Sequence, residues 1–172
     1  MTITTRLNDV DLATVAGLVG NIRTEPEHAK TTWQASVSWQ GAFRSEARVR
    51  EFDPIQSDEP EALGGTDTAP NPVEQVLAAL GHCLAVGYAA NASAEGIGIK
   101  ELSIDLEGDL DLHTFLGLAD GHAGFDNIRA TVRLISDADP DAIAALHRNV
   151  VSTSPVGHTL GRAVPVEVTL DH

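Results

Sequence analysis

The sequence is poor in cysteine and in basic residues. Its 172 residues include a single cysteine, Cys83, and 11 Lys and Arg against 25 Asp and Glu, which gives a formal net charge of -14. One cysteine cannot form a disulfide within the chain, and the usual zinc sites need several cysteines or closely spaced histidines. The excess of negative charge repels phosphate backbones and anionic membrane surfaces. These scarcities argue against a disulfide scaffold, a zinc domain and a nucleic-acid partner.

The segments that mark membranes, export and cofactor binding are also missing. No segment approaches the roughly 20 apolar residues that cross a bilayer, and the start, MTITTRLNDVD, lacks the basic-then-apolar order of a signal peptide. The seven histidines include no HxxxH or HxH pair, and no lysine follows Gly64-Gly65 as in a phosphate loop. We therefore predict a cytoplasmic protein without a membrane, metal or cofactor partner.

The composition favours one hydrophobic core preceded by a short extension. Hydrophobic residues make up 42% of the chain, which at this length suffices for a single core. Apolar residues at helical spacing predict a short helix that Asn8 caps and Gly20 ends. The polar run 21–30 is typical of a linker. The predicted division is an N-terminal extension over residues 1–30 and one domain over residues 31–172.

Alternating apolar residues after this linker predict a β-hairpin. Gln40-Gly41 offers a turn between a first strand and a second strand within residues 43–52. The next segment, SDEPEALGGTDTAPNP over residues 57–72, concentrates Pro, Gly and Asp, which predicts an ordered surface loop too polar to pack. One face of the predicted first strand carries Trp33, Ala35, Val37 and Trp39.

The strongest structural signal is a helix predicted from about residue 72 to residue 95. Asn71 is typical of an N-cap, and Pro72 suits the first helical position. Glu74 stands where its carboxylate can reach back to the cap, and Gly96 suits the stop. Apolar side chains surround almost the whole helix, Cys83 among them, which predicts a central helix packed in the domain or across a dimer.

The remainder of the chain predicts strands and a further helix, so the fold class is α+β. SIDLEGDLDLH, over residues 103–113, alternates apolar and polar residues as a half-exposed strand does, and Ile128 to Leu134 continue the sheet. Asp139-Pro140 opens a helix. Ser154-Pro155 likewise combines an N-cap residue with a proline at the first helical position. A last strand is predicted from Val164 to Leu170.

Two blocks of the sequence resemble the OsmC/Ohr superfamily. They are DEPEALGGTDTAPNPVEQVLAALGHCLAVGYAA and SPVGHTLGRAVPVEV, and the resemblance extends roughly from Thr31 to the C-terminus. It implies antiparallel sheets packed on two central helices in an intertwined homodimer, with active sites at the subunit interface. It further implies a cysteine on the central helix that attacks a peroxide, an arginine and a glutamate that tune it, and a second cysteine that resolves the product.

Carried onto this chain, the resemblance makes Cys83 the reactive thiol. Because only the thiolate attacks peroxide oxygen, a nearby cation is expected. Arg44, just after the hairpin turn, is preferred for this role over Arg48 and Arg23. Glu74 is the predicted acid. It stands one residue beyond the family's position, which Val73 occupies here.

The resolving cysteine of the family is replaced by Ser154, which cannot form a disulfide. The resemblance thus implies a thiol-dependent reductase of organic hydroperoxides or related electrophiles that uses one cysteine and an external thiol reductant. Ser154 and His82 are possible supporting residues.

Simpler interpretations and other functions stay open. The capping box accounts for Glu74 and helix capping for Ser154. Cys83 could simply be a small buried hydrophobic residue of the core. Adjacent helical residues diverge by about 100°, so His82 and Cys83 do not face each other. The alternatives are a noncatalytic stress protein that binds a small or lipid-like ligand, and a cysteine-nucleophile hydrolase or transferase with His82 or another histidine as base.

Overall fold

The structure is a computed structural model that describes residues 6–171 and has two compact units. One unit consists of residues 13–78, and the other combines residues 6–12 with residues 79–171. The predicted α+β class is confirmed. The helices and strands are α1 Leu12–Thr24, β1 Ser36–Trp39, β2 Ser45–Arg48, β3 Ile55–Ser57, α2 Pro72–Ala94, β4 Glu101–Leu110, α3 Leu112–Phe115, β5 Phe125–Ile135, α4 Pro140–Thr153 and α5 Pro155–Leu160.

In the unit of residues 13–78, the predicted hairpin forms and gains a third strand. The antiparallel order is β1-β2-β3, with Val37 opposite Ala47 and Ile55 pairing with the same Ala47 from the other side. The sequence did not predict β3. The first strand is also shorter than predicted, since Trp33 precedes it.

The N-terminal helix is longer than predicted. Gly20 was expected to end it, but α1 continues to Thr24, whose hydroxyl donates to the Gly20 carbonyl at 3.3 Å. A glycine inside a helix costs only about 1 kcal/mol, so it does not force a stop. The linker predicted over residues 21–30 is therefore wrong in part, because it contains the end of α1 and a 3-10 helix, Pro26–Ala29.

The loop after β3 was expected to be too polar to pack, and this is wrong for Asp58. Its side chain is only 1% exposed. The backbone N–H groups of Thr66 and Thr68 donate to its carboxylate at 3.0 and 3.2 Å, as do both threonine hydroxyls, and Glu59 N–H donates at 2.8 Å. A buried carboxylate is tolerated when its oxygens accept hydrogen bonds in this way. The Thr66 hydroxyl foremost, with the other donors, holds the pKa of Asp58 well below its ordinary value.

Helix α2 begins and ends as its sequence predicts. Glu74 N–H donates to Asn71 Oδ1 at 2.9 Å, and Asn71 N–H donates to Glu74 Oε2 at 2.8 Å, which closes the capping box. Gly96 has a φ of 74°, and Ile97 N–H donates back to the Ala92 carbonyl at 2.7 Å. This pairing is a Schellman stop, which requires a residue that adopts the left-handed region without strain.

Helix α2 is long and apolar enough to cross a membrane by length and composition alone. This corrects the expectation that no segment has that length. Leu84, Tyr88 and Ala92 of α2 are nevertheless buried in the core of the unit of residues 79–171. Core helices of proteins outside membranes meet the same criteria.

The core of this unit lies between α2, α4 and the β4-β5 hairpin. Strands β4 and β5 pair antiparallel with Ile104 opposite Val132, and the predicted alternation in β4 is confirmed. Gly87 lets α4 approach α2 closely, because a Cβ there would stand 2.9 Å from Val150 Cγ1. The buried apolar residues of the core are Leu84, Tyr88, Ala92, Ile97, Leu146 and Val150.

Asn8 is not the helix cap that the sequence predicted. It has a φ of 52°, and its amide group donates to Ser93 Oγ and to the Ile97 carbonyl, both at 3.0 Å. Its Oδ1 accepts from Ile99 N–H at 2.8 Å. Long-range partners at the end of α2 outweigh a local cap here. Asn8 thereby ties residues 6–12 to the end of α2 within the same unit.

The predicted last strand, Val164 to Leu170, is absent from the described part of the chain. Residues 162–171 form no helix or strand, and Val166, Val168 and Leu170 are 82, 88 and 84% exposed. Alternation alone cannot make a strand, which needs hydrogen bonds to a neighbouring strand. The segment keeps a strand-like sequence without a strand partner.

Candidate functional site

Cys83 lies half-buried in the middle of α2, and its sulfur contacts a buried hydroxyl. The Sγ atom is 3.3 Å from Ser154 Oγ, within hydrogen-bond distance for sulfur. Ser154 is only 5% exposed. The two residues are 71 positions apart in sequence, so this contact is a product of the fold. It brings together two of the side chains that the sequence singled out.

Ser154 is positioned by the junction of α4 and α5. It is the N-cap of α5, and its Oγ accepts from Gly157 N–H at 3.1 Å. Because that bond uses a lone pair, the hydroxyl hydrogen remains available for another acceptor. Cap and thiol contact are therefore compatible.

The other predicted catalytic residues belong to the unit of residues 13–78. Glu74 is exposed, and its carboxylate is the capping-box acceptor described above. Arg44 is exposed just before β2, where its N–H donates to the Gly41 carbonyl at 3.0 Å. Their catalytic roles stay predictions.

The remaining candidates are all exposed. Arg48 pairs with Glu46 at 2.8 Å, and Arg23 lies in the last turn of α1. His82 is exposed on α2 next to Cys83. Its roles as a supporting residue and as a base stay predictions.

Sequence reasoning missed a tyrosine–histidine pair. Tyr88 is 1% exposed, and its hydroxyl shares a hydrogen bond with Nδ1 of His147. Burial raises the pKa of Tyr88. The available signal was that Tyr88 is the single tyrosine of the chain and lies on a core helix, since a buried tyrosine hydroxyl needs a polar partner.

Within residues 6–171, no group of three or more His, Cys, Asp and Glu side chains is placed to hold a metal ion.

The chain matches a known protein family over the segment that holds Cys83 and Ser154. Residues 65–169 match the family model described as OsmC-like protein, which is more than half of the chain. The chain belongs to the OsmC-like family. The resemblance stated from the sequence is thereby confirmed. No curated protein matches the chain.

Solved structures of OsmC-like proteins share this fold. One from Mycoplasma pneumoniae aligns with a TM-score of 0.67 and 19% identity, covering 77% of this chain and 89% of that chain. An organic hydroperoxide resistance protein OsmC from Legionella pneumophila aligns with a TM-score of 0.58 and 16% identity, covering 76% and 91%. An OsmC-like protein of unknown function from Vibrio cholerae aligns with a TM-score of 0.59 and 12% identity, covering 76% and 94%. At these identities the likeness shows the fold alone.

Proposed function

We propose that this protein reduces organic hydroperoxides with Cys83 as its single reactive thiol. The observation that carries the proposal is the hydrogen bond between Cys83 Sγ and Ser154 Oγ, which gives the sulfur a buried polar partner. The substrate class is supported by the name of the Legionella relative, an organic hydroperoxide resistance protein. The proposal also includes related electrophiles as substrates, since a thiolate attacks them as well.

The reaction balances with an external thiol. The Cys83 thiolate attacks the distal peroxide oxygen, the O–O bond breaks, and the alkoxide leaves and takes a proton to become an alcohol. The sulfenic acid on Cys83 condenses with one external thiol to a mixed disulfide and releases water. A second external thiol restores Cys83 and leaves as a disulfide, so two thiols are oxidised for each peroxide reduced.

Ser154 is the proposed positioning residue of this cycle. A hydroxyl cannot form the disulfide that a resolving cysteine forms. It can donate to the negatively charged sulfur before attack and to the sulfenate after it. Arg44 and Glu74 are proposed, as from the sequence, to supply the cation and the acid of the site.

The proposal is tested by consumption of cumene hydroperoxide with a small dithiol as reductant. Cys83→Ser should abolish turnover. Ser154→Ala should lower the rate of thiol oxidation about tenfold, since a hydrogen bond to a charged group contributes about 1.5–3 kcal/mol. Ser154→Thr keeps the hydroxyl and the cap and should restore the rate.

Ser152→Ala is the matched control. Ser152 is exposed on the same helix end, and its hydroxyl donates to the Asn149 carbonyl at 3.0 Å. Its rate should equal that of the unaltered protein. Turnover that persists in Cys83→Ser would contradict the proposal, and an unchanged rate in Ser154→Ala would remove Ser154 from it.

We also propose that the protein is a homodimer in the cytoplasm, where external thiols are kept reduced. Large apolar side chains are exposed in the isolated chain, and apolar surface of this kind marks interfaces. Val86, on α2, is 68% exposed, Trp33 and Trp39 are 81 and 75% exposed, and the strand-like segment of residues 164–170 has no strand partner.

Sedimentation velocity tests the dimer. The protein should sediment at twice the 18.1 kDa of one chain, and Val86→Glu should sediment as a monomer because a buried charge opposes association. Leu118→Glu is the control, since Leu118 is equally exposed at 70% but lies in the loop before β5. A dimer that survives Val86→Glu would contradict an interface across α2. Recovery of the protein in the membrane fraction of cells would contradict the cytoplasmic location.

A further inference from the structure

A cavity of about 530 Å³ lies within the unit of residues 79–171. Its volume falls in the range of about 300–1,000 Å³ that is usual for small-molecule sites. Ser154 is one of the described residues that line the cavity, and Cys83 is not. The cavity is thus next to the thiol site but separate from it.

The buried and half-buried apolar residues that line the cavity form its floor. Leu84 and Tyr88 are buried and line it together with the half-buried Leu80 and Val132. Tyr88 is anchored by its bond to His147, which also lines the cavity. A ligand with an apolar body would be desolvated against this floor.

The charge of the lining is opposite to that of the protein. The chain carries a formal charge of -14. Yet within residues 6–171 the cavity is lined by Arg162, His147 and His158 and by no Asp or Glu. The Arg162 guanidinium, with no Asp or Glu beside it in the described lining, attracts anions to this position.

Arg162 is the residue that provides the fixed charge. It is exposed and follows α5, and the neighbouring His158 is held in place because its Nε2 is 2.8 Å from the Ser152 carbonyl. A guanidinium stays charged at all relevant pH values and matches a carboxylate with two parallel hydrogen bonds.

From this combination we infer that the cavity binds an apolar monocarboxylate. Its hydrocarbon or aryl body lies against Leu80, Leu84 and Val132, and its carboxylate pairs with Arg162. Binding requires no thiol chemistry, so this inference goes beyond the proposed function. A neutral molecule of the same shape gains the apolar contacts but not the ion pair.

The test uses two probes that differ only in this charge, 4-phenylbutyrate and 4-phenylbutan-1-ol, followed by amide NMR shifts at pH 7.5. The carboxylate should bind roughly in the millimolar range and about fivefold tighter than the alcohol, as expected for one partly exposed ion pair. The shifts should fall in residues 80–88 and 147–162. Equal affinity of both probes, or shifts confined to other residues, would overturn the inference.

Substitutions separate the contribution of the ion pair to binding from that of the apolar contacts. Arg162→Gln should bring the carboxylate to the affinity of the alcohol, whereas Arg148→Gln, an exposed position on α4 outside the lining, should leave the preference intact. Val151→Trp adds bulk at a lining residue that is 51% exposed and should weaken both probes. A carboxylate preference that survives Arg162→Gln would overturn the inference.

Cys83→Ser separates this inference from the proposed function. The variant should bind 4-phenylbutyrate as the unaltered protein does. If the unaltered protein consumes hydroperoxide but does not bind the carboxylate, the inference fails and the proposed function stands. If binding persists and no hydroperoxide is consumed, the reverse holds.

Discussion

The two compact units bury opposite kinds of side chain. In the unit of residues 79–171 the buried side chains are mainly apolar, with Leu146 and Ala92 at 0% exposure. Among the described residues of the unit 13–78, the buried side chains are Asp58 and Asn71, both polar, while Trp33 and Trp39 are exposed. The unit of residues 79–171 has a hydrophobic core. The buried side chains of the unit of residues 13–78 are instead held by hydrogen bonds in the loop after β3.

This difference teaches that the units should respond to different perturbations. Apolar burial is insensitive to pH and sensitive to the volume of core side chains. A hydrogen-bonded carboxylate is stabilising only while it is ionised. Core truncation and pH are therefore separate means of testing each unit.

The largest effect is expected for Leu146→Ala. Removing a fully buried leucine leaves a cavity and should lower the free energy of unfolding by about 2–5 kcal/mol. Urea unfolding followed by circular dichroism measures it. Leu118→Ala, at a residue that is 70% exposed, should change the midpoint little. If both variants lost a similar free energy of unfolding, burial in the apolar core would not be what stabilises this unit.

A smaller, pH-dependent effect is expected for Asp58→Asn. The folded pKa of Asp58 lies below its ordinary value of 3.8, so its contribution to stability is fully present above that value and is lost as the pH falls further. Hydrogen exchange at the Thr66 and Thr68 amides should be faster in the variant at about pH 6, and the difference should shrink towards about pH 3.

Asp67→Asn is the control for Asp58, because Asp67 lies in the same loop and is exposed. It should leave the exchange of both threonine amides unchanged. A difference for Asp58→Asn that is independent of pH would argue that the carboxylate charge does not hold the loop.

The smallest effect is expected at the surface of β4 and β5. Arg129 donates to the carboxylate of Asp109 and, with Asn127, lowers the pKa of Asp109 to about 2. Arg129→Gln should raise this pKa towards the ordinary 3.8, as read by carboxyl carbon NMR, with little change in stability because the pair is exposed. Arg133→Gln, whose partner is Asp105, should leave Asp109 unchanged.

The sequence predicted best where local signals and long-range packing agree. Helix α2, its capping box and its Gly96 stop follow from residues within one or two turns of each end. The alternation of β4 likewise matches its burial. In these segments the same residues satisfy both the backbone and the core.

Prediction failed where partners distant in sequence decide the structure. Asn8 bonds the end of α2 instead of capping a helix, and Asp58 accepts hydrogen bonds from Thr66 and Thr68, which lie 8 and 10 positions further along the chain. The bond between Cys83 and Ser154 and the pair of Tyr88 and His147 each join residues more than 50 positions apart. No local pattern encodes such contacts, so the sequence singled out Cys83 and Ser154 but did not predict the contact between them.

The bonding of Asn8 also limits which amino acids position 8 can hold. The site demands a side chain that both donates, to Ser93 and Ile97, and accepts, from Ile99, on a backbone with positive φ. Aspartate cannot donate, glycine can neither donate nor accept, and longer amides are disfavoured in the left-handed region. In a saturation library selected for folding, asparagine should therefore dominate at this position.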